Sequence, residues 1–367
     1  MKKKLLLCDL VIGENICNQK CEYCLTKYDN YNEKDKFIQE KYCYEAGTNL
    51  HFRLNQLIDN LLNQFDVAAL KIIGGEIFMV QNIISLLEER SHQFVNVQLM
   101  TNGILLNEER IERLKNIKNF HLQISVDSSN FEGNSYRNKN KLNHDKLLKN
   151  IDSAVKAEIP LEINCVLTDK SLEHLEEYLK YLSQYEGHQL KIYPFPVRGN
   201  ETETFFPKEE QCDIIHRILV QYDSYGSIMP PIQYFENLLE FLQNRSRQKE
   251  CSIPFHSFQA FEDGEVTPCP YWWTANIGNL IEKQEEIVNV VNCSPIYRMI
   301  FGAKPRLAPC KKCYTRSEVL NLYFEGVIGL EEIGTIPFYS DMRMQEYLIA
   351  LKKEYLSKYR EGKHGAF

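Results

Sequence analysis

An excess of positive charge is missing from this chain. Its 43 Lys and Arg face 50 Asp and Glu, a net charge of -7, so it lacks the basic footprint that a nucleic-acid backbone rewards. One locally basic stretch, Arg137 to Lys149, reads as a solvated helix entry. No run approaches the ~18 consecutive apolar residues of a membrane span. An export signal is missing too, although Met1-Lys2-Lys3-Lys4 before Leu5-Leu6-Leu7-Cys8 imitates one. Asp9 interrupts the apolar run, no small-residue cleavage site follows, and Leu7 stands where lipidation wants a small residue. Signs of wholesale disorder are equally absent, since 44% hydrophobic and 25% charged residues are ordinary for a globular protein. A length of 367 residues suits one large domain with a smaller one. Finally, the 12 cysteines do not spread as pairs but cluster at defined spacings. Without an export signal, that points to a reducing cytoplasm and metal-sulfur ligation instead of disulfides.

What is there starts with Cys17-Asn18-Gln19-Lys20-Cys21-Glu22-Tyr23-Cys24. Three thiols this close cannot form a disulfide framework, but as thiolates each can bind a different iron of one cubane cluster, which leaves one iron open to a second molecule. A zinc knuckle or a chance thiol cluster are the alternatives. Zinc would want a fourth ligand nearby, and the nearest other thiols, Cys8 and Cys43, lie well outside the loop.

Around that loop the sequence alternates. Lys4 to Ile12 reads as a buried strand, 49 to 65 as a helix, and Ala68 to Ile73 as a second strand. Val95 to Met100 precedes a helix from Glu108, and Phe120 to Val126 one near 143 to 157. Leu161 to Leu167 precedes 171 to 185, and Leu190 to Phe195 a helix near 208 to 223. Such alternation predicts an α/β fold with a parallel sheet and outer helices. In barrels of this type the site forms at the carboxyl ends of the strands. Every predicted strand carries polar or glycine chemistry there: the three cysteines, Gly74-Gly75-Glu76, Thr101-Asn102-Gly103, Ser125-Val126-Asp127, Asn164, and Pro194 to Arg198.

The cysteine spacing, with aromatic Tyr23 before the last thiol, resembles the signature of the radical S-adenosylmethionine (SAM) enzymes, and residues 1 to 200 resemble their partial (β/α)6 barrel. The resemblance implies that Cys17, Cys21 and Cys24 hold a four-iron four-sulfur cluster whose open iron takes SAM, and that Tyr23, Gly74, Gly75, Glu76, Asn102, Ser125, Asp127, Arg137 and Asn164 border SAM. The Gly-Gly-Glu sequence binds the SAM amino group in the family, with Ile77 here where a proline is usual; Thr101-Asn102-Gly103 resembles the SPASM and twitch subgroup. Ser125 and Asp127 resemble its Ser-x-Asp-Gly, with Ser128 in place of the glycine. A surface arginine is the alternative for Arg137, and a solvated tight turn for Glu76.

Residues 201 to 250 read as a spacer of polar-faced helices, with Glu201 to Glu203 and Arg245 to Lys249 on solvated faces. Beyond it, Cys251, a glycine hairpin at Glu262-Asp263-Gly264-Glu265, Cys269, and Cys310-Lys311-Lys312-Cys313 resemble the twitch domain over 251 to 320. That implies four ligands and one auxiliary four-iron four-sulfur cluster; a tetrahedral zinc site is the alternative. Tyr271-Trp272-Trp273 reads as core or substrate wall, and 321 to 367 as a tail with an amphipathic helix from Arg343 to Arg360. Cys165 is a candidate hydrogen-atom donor, although its neighbour Asn164 points to the opposite face of the strand.

The resemblance implies radical chemistry on a ribosomally made precursor peptide, installing a thioether, carbon-carbon or ether crosslink, with a flavodoxin- or ferredoxin-type electron donor. Cys17 lies too near the start for a leader-binding domain ahead of the barrel, so leader recognition falls to the spacer, the tail or a separate protein. Dehydrogenation of an aminocyclitol or sugar-like alcohol, and oxidation of a protein side chain as in sulfatase maturation, are the alternatives within the family. Outside it stand an iron-sulfur electron relay and a zinc-bound interaction module, neither of which needs a SAM pocket.

Overall fold

Strand β1, Lys3–Ile12, carries Leu5, Leu6, Leu7, Cys8, Leu10, Val11 and Ile12, all buried, and can pair on both sides without exposing an apolar face. In this computed structural model, which describes residues 2–25, 29–30, 36–198, 200–269, 275–282, 286–293 and 308–360, it does so. On one side lies β2, Phe65–Gly74, in parallel register from Lys3 opposite Phe65 to Ile12 opposite Gly74. The sheet continues in parallel through β3 (Asn96–Thr101), β4 (Phe120–Ser125), β5 (Leu161–Leu167) and β6 (Leu190–Pro196). Helices between the strands bury one face each; α1, Asn49–Gln64, for example, buries Leu50, Leu54, Leu57, Ile58 and Leu61 and is capped by Thr48. This is the α/β arrangement of the radical SAM partial barrel expected above.

Several features differ from the sequence expectation. The helix read at 171 to 185 is two pieces, Asp169–Glu173, opened by a reciprocal Thr168–Ser171 cap, and Leu175–Ser183; they part at His174, whose backbone, at φ -101° and ψ 7°, leaves the helical region. Ile83–Arg90 is a helix the reading did not place; at eight residues, it is short for periodicity to register. More consequentially, the hairpin of the second cysteine region does not fold apart from the barrel. Its strand β7, Ser257–Phe261, lies parallel to β1, then β8 (Glu265–Thr267) and β9 (Gly278–Asn279) add antiparallel. Gly264, at φ +92°, makes the turn. One nine-stranded sheet therefore runs β9-β8-β7-β1-β2-β3-β4-β5-β6 across the expected domain boundary.

The stretch read as a spacer is also integrated. Helix α2, Ile232–Asn244, buries Tyr234, Phe235, Leu238, Phe241 and Leu242, and the Tyr234 hydroxyl donates to the Pro194 carbonyl at 2.9 Å. Arg247, expected on a solvated face, has a buried side chain ion-paired to Glu318 at 2.5 Å. In the tail, α3 (Met342–Arg360) buries Met344, Leu348, Leu351 and Tyr355 and ties to the barrel through Tyr347 to Asp66 and Lys3 to Glu354. No described helix is long and apolar enough to cross a membrane.

Candidate active site

The carboxyl ends of β1 to β6 meet at one cavity of about 250 Å3. Its wall receives Cys17, Cys21, Tyr23 and Cys24 from the loop after β1, Gly74 and Gly75 at the end of β2, Thr101 and Asn102 at the end of β3, and Ser125 from β4. Asn164 comes from β5, Pro196 to Arg198 follow β6, and Arg137 joins from the loop after β4.

The cysteine loop is held by its backbone. Ile16 N–H donates to Gly13 at 3.0 Å, Cys24 N–H to Cys21 at 3.2 Å, and Glu22 N–H to Tyr136 at 2.9 Å. Asn102 reaches across to Asn18 at 2.7 Å. A Cβ on Gly74 would lie 2.2 Å from the Ile12 carbonyl oxygen, and one on Gly75 2.1 Å from that of Ile16. These glycines are therefore required by the contact between the end of β2 and the chain entering the cysteine loop, where the sequence alone suggested approach to a ligand.

Burial pushes the Cys17 thiol up to about 12, with the Glu76 carboxylate adding to it. Burial likewise pushes Cys21 up to about 11, against the pull of Arg137. Thiols of this kind are protonated at neutral pH, so binding iron would release protons. Among the described residues no three Cys, His, Asp or Glu side chains converge on a single metal ion. A cubane does not need such convergence, because it takes one thiolate per iron. Three thiols on one cavity wall, with the polar ends of five further strands around them, fit a cluster and a polar second molecule.

Two of the residues expected to border SAM are held by protein groups. Glu76 is buried and off the cavity wall; it accepts from the Thr101 hydroxyl at 2.6 Å, Asn102 N–H at 2.7 Å and Phe78 N–H at 3.1 Å. Its carboxylate thus braces the turn that carries Asn102. Asp127 is likewise withdrawn, accepting from the Tyr23 hydroxyl, from Arg137 Nε at 3.1 Å and from Val166 N–H at 2.9 Å. It fixes Tyr23 and Arg137, both of which face the cavity. Arg137 is buried, not a surface arginine. Cys165 points away: its thiol is fully buried and donates to the Asp127 carbonyl at 3.2 Å, so it cannot reach a substrate in the cavity.

A layer of buried polar residues lower in the barrel went unread. Glu162 accepts from Gln98 at 2.9 Å, from Gln123 at 3.3 Å and from Arg316, which also donates to Gln98 at 3.1 Å. Asp9 and Lys71 lie on the same cavity. The available signal was a lysine in the apolar run Ala68 to Ile73 and an aspartate within β1.

The second cysteine region is framed by Arg247, which donates to the Cys313 carbonyl at 2.9 Å and is drawn by the thiols of Cys251 and Cys313 as well as by Glu318. Cys313 N–H donates to Cys310 at 3.2 Å, and Thr267 donates to the Cys269 carbonyl at 3.3 Å. Beneath, Glu318 accepts from Asn237 and Asn321, each at 2.9 Å. Asn321 accepts from Ser252 N–H at 2.8 Å, and Ser252 meets His256 at 3.1 Å. Arg247, Cys251 and Cys313 are thus neighbours, while Tyr271-Trp272-Trp273 lies outside the described residues.

Comparison with known proteins agrees with this geometry. Residues 11–182 match the family model of the radical SAM superfamily. The chain is 24% identical over 264 residues to an uncharacterized protein of Methanocaldococcus jannaschii, covering 70% of this chain and 82% of that one. It is 21% identical to the sporulation killing factor maturation protein SkfB of Bacillus subtilis, covering 70% of this chain but 58% of SkfB. It is also 21% identical to the antilisterial bacteriocin subtilosin biosynthesis protein AlbA of Bacillus subtilis, covering 84% and 67%. An AdoMet-dependent heme synthase and GTP 3',8-cyclases also match, at 22% to 25% identity. Among solved structures, Streptococcus suis SuiB bound to S-adenosylmethionine superposes at a TM-score of 0.55 with 18% identity, covering 82% of this chain and 68% of SuiB. The protein anSMEcpe, with bound AdoMet and a peptide, superposes at 0.54 with 16% identity, covering 95% and 99%.

Proposed function

Taking the chain as the radical SAM enzyme that its domain at residues 11–182 and its SPASM/twitch-type relatives make it, we propose that it abstracts a hydrogen atom from a ribosomally made peptide and installs an oxidative crosslink. The observation that carries the reading is the placing of Cys17, Cys21 and Cys24 on one cavity wall with Gly74, Asn102, Ser125 and Asn164. A cubane cluster and SAM bound there would supply a reductively generated 5'-deoxyadenosyl radical.

The chain's own residues would do the rest. Cys17, Cys21 and Cys24 would each hold one iron. Ser125, Asn102 and Asn164 would offer hydrogen bonds to the polar parts of SAM, and Arg137, held by Asp127, would face its carboxylate. The parallel strands would keep bulk water from the radical. Cys251, Cys269, Cys310 and Cys313 would hold an auxiliary four-iron four-sulfur cluster, able to accept the substrate's second electron. The named roles of SkfB and AlbA favour a peptide over the alcohol-dehydrogenation alternative.

The test begins with anaerobic reconstitution, SAM and dithionite. Formation of 5'-deoxyadenosine is expected; its absence would favour an electron relay or a zinc module. Short peptides encoded beside the gene are then added and read by mass spectrometry. A loss of two hydrogens at a localised crosslink supports the peptide reading, and unchanged peptides without deuterium uptake from heavy water reject it.

A further inference from the structure

Asp9 and Lys71 stand directly opposite each other on β1 and β2, and both side chains face the cavity. Asp9 is 6% exposed and Lys71 5%. Burial and its neighbours leave each charge poorly compensated. The Asp9 carboxyl is pushed up by burial, with Lys71 and Arg316 opposing. The Lys71 ammonium is pushed down to about 7 by burial and Arg316, against Asp9 and Glu162. Yet among the described residues neither side chain makes a hydrogen bond or ion pair, and Asp9 Oδ1 has no partner at all. The adjoining polar residues Glu162, Gln98, Gln123 and Arg316 do bond to one another, although among the described residues Glu162 Oε1 and Gln123 Oε1 also have no partner.

A buried donor and acceptor that no protein group satisfies are completed by whatever polar group fills the cavity they line. The position says what completes them. Three residues beyond the pair, the strands end at Ile12 and Gly74, and the cysteine loop follows. At roughly 3.3 Å per residue the pair lies about 10 Å beneath that rim. It is thus set back from the thiols and inside the barrel, where the reacting part of a substrate would sit.

We propose that Asp9 and Lys71 form a substrate subsite for a side chain that donates to Asp9 and accepts from Lys71, a carboxamide or a hydroxyl, in the residue the enzyme draws into the barrel. This rests on the peptide reading above. An apolar side chain would leave both groups unsatisfied, so the pair selects against it.

The test uses the full chain, reconstituted anaerobically, with N-acetyl-asparagine amide, N-acetyl-serine amide and N-acetyl-norvaline amide as probes. Binding is read by saturation-transfer NMR, independently of turnover. The wild type is expected to bind the asparagine or serine probe at least about tenfold more tightly than the norvaline probe, and the doubly substituted Asp9→Asn, Lys71→Met protein to lose that preference. Its denaturant midpoint is expected to equal or exceed that of the wild type, since two unpaired buried charges are gone. A norvaline probe that binds as well as the polar ones, an unchanged preference in the double variant, or a double variant that no longer folds would overturn the assignment; the last would mark the pair as a structural prop. If the wild type binds the polar probes through this pair yet converts none of the neighbouring peptides, the peptide reading fails and the subsite stands.

Discussion

The chain has two cysteine-bearing regions, and they are built in opposite ways. Cys17, Cys21 and Cys24 sit on one loop of eight residues, oriented by what the ends of five other strands present to it. Cys251, Cys269, Cys310 and Cys313 come from distant segments, and a buried polar scaffold of Arg247, Glu318, Asn237, Asn321 and Ser252 lies beside Cys251 and Cys313. In the first region the covalent chain sets the thiol spacing and the fold supplies the surroundings. In the second, the fold must supply the spacing itself. Substitutions of the thiols should therefore separate SAM cleavage, lost from the first region, from the later steps, lost from the second, and the scaffold of the second should weigh most on stability.

The sharpest separation is between single thiols. Cys17→Ala should reduce 5'-deoxyadenosine formation to background, whereas Cys313→Ala should retain SAM cleavage and lose peptide product, both read from one chromatographic assay of nucleoside and peptide. Equal loss of both activities in the two variants would erase the distinction.

Next in size is Arg247→Met, which leaves Glu318 buried without its cation. Loss of about 3–5 kcal/mol is expected in chemical denaturation, the range for breaking a buried pair on one side. An exposed control, Arg217→Met, which parts from Glu176, should leave the denaturation midpoint nearly unchanged. A third comparison is Gly75→Ala, whose added methyl meets the Ile16 carbonyl. Overpacking of about 1–3 kcal/mol is expected, with iron bound per chain falling further than the melting temperature would suggest, because the displaced backbone carries Cys17.

The smallest effect is titratable. His256 is buried between Ser252 and Ser257 and stacked on Phe324 at 4.7 Å, and burial holds its imidazole down at about 3. Between that value and the ordinary 6.5 the unfolded chain binds the proton and the native one does not. The stabilisation from neutral His256 is thus full above pH 6.5 and is lost as pH falls toward 3. His256→Gln should cost about 1 kcal/mol at neutral pH and flatten that acid limb in denaturation at stepped pH.

The same contrast explains what could be read in advance. The six parallel strands were legible because each is a short apolar run ending in polar or glycine residues, and Leu161–Leu167 falls where the pattern put it. The three-thiol loop was legible because it is local. Harder to see were relations between segments far apart. Nothing near Ser257 announces that it will lie beside Leu7, and nothing near Arg247 announces Glu318. The protein partners of Glu76 and Asp127 were hidden for a related reason. A carboxylate beside a ligand and one bracing the turn beneath it share a sequence position, and only the donors around them, Thr101 Oγ1 and Asn102 N–H or Tyr23 and Arg137, tell the two apart.

The pairing of β7 with β1 also sets a timetable for the growing polypeptide. Strand β1 is an interior strand of the finished sheet, and one of its two neighbours is synthesised some 250 residues later. Until then its free side is an open, apolar edge of the kind that recruits other chains. Release of a truncated product ending before Ser257 should therefore yield aggregates, not a smaller working barrel.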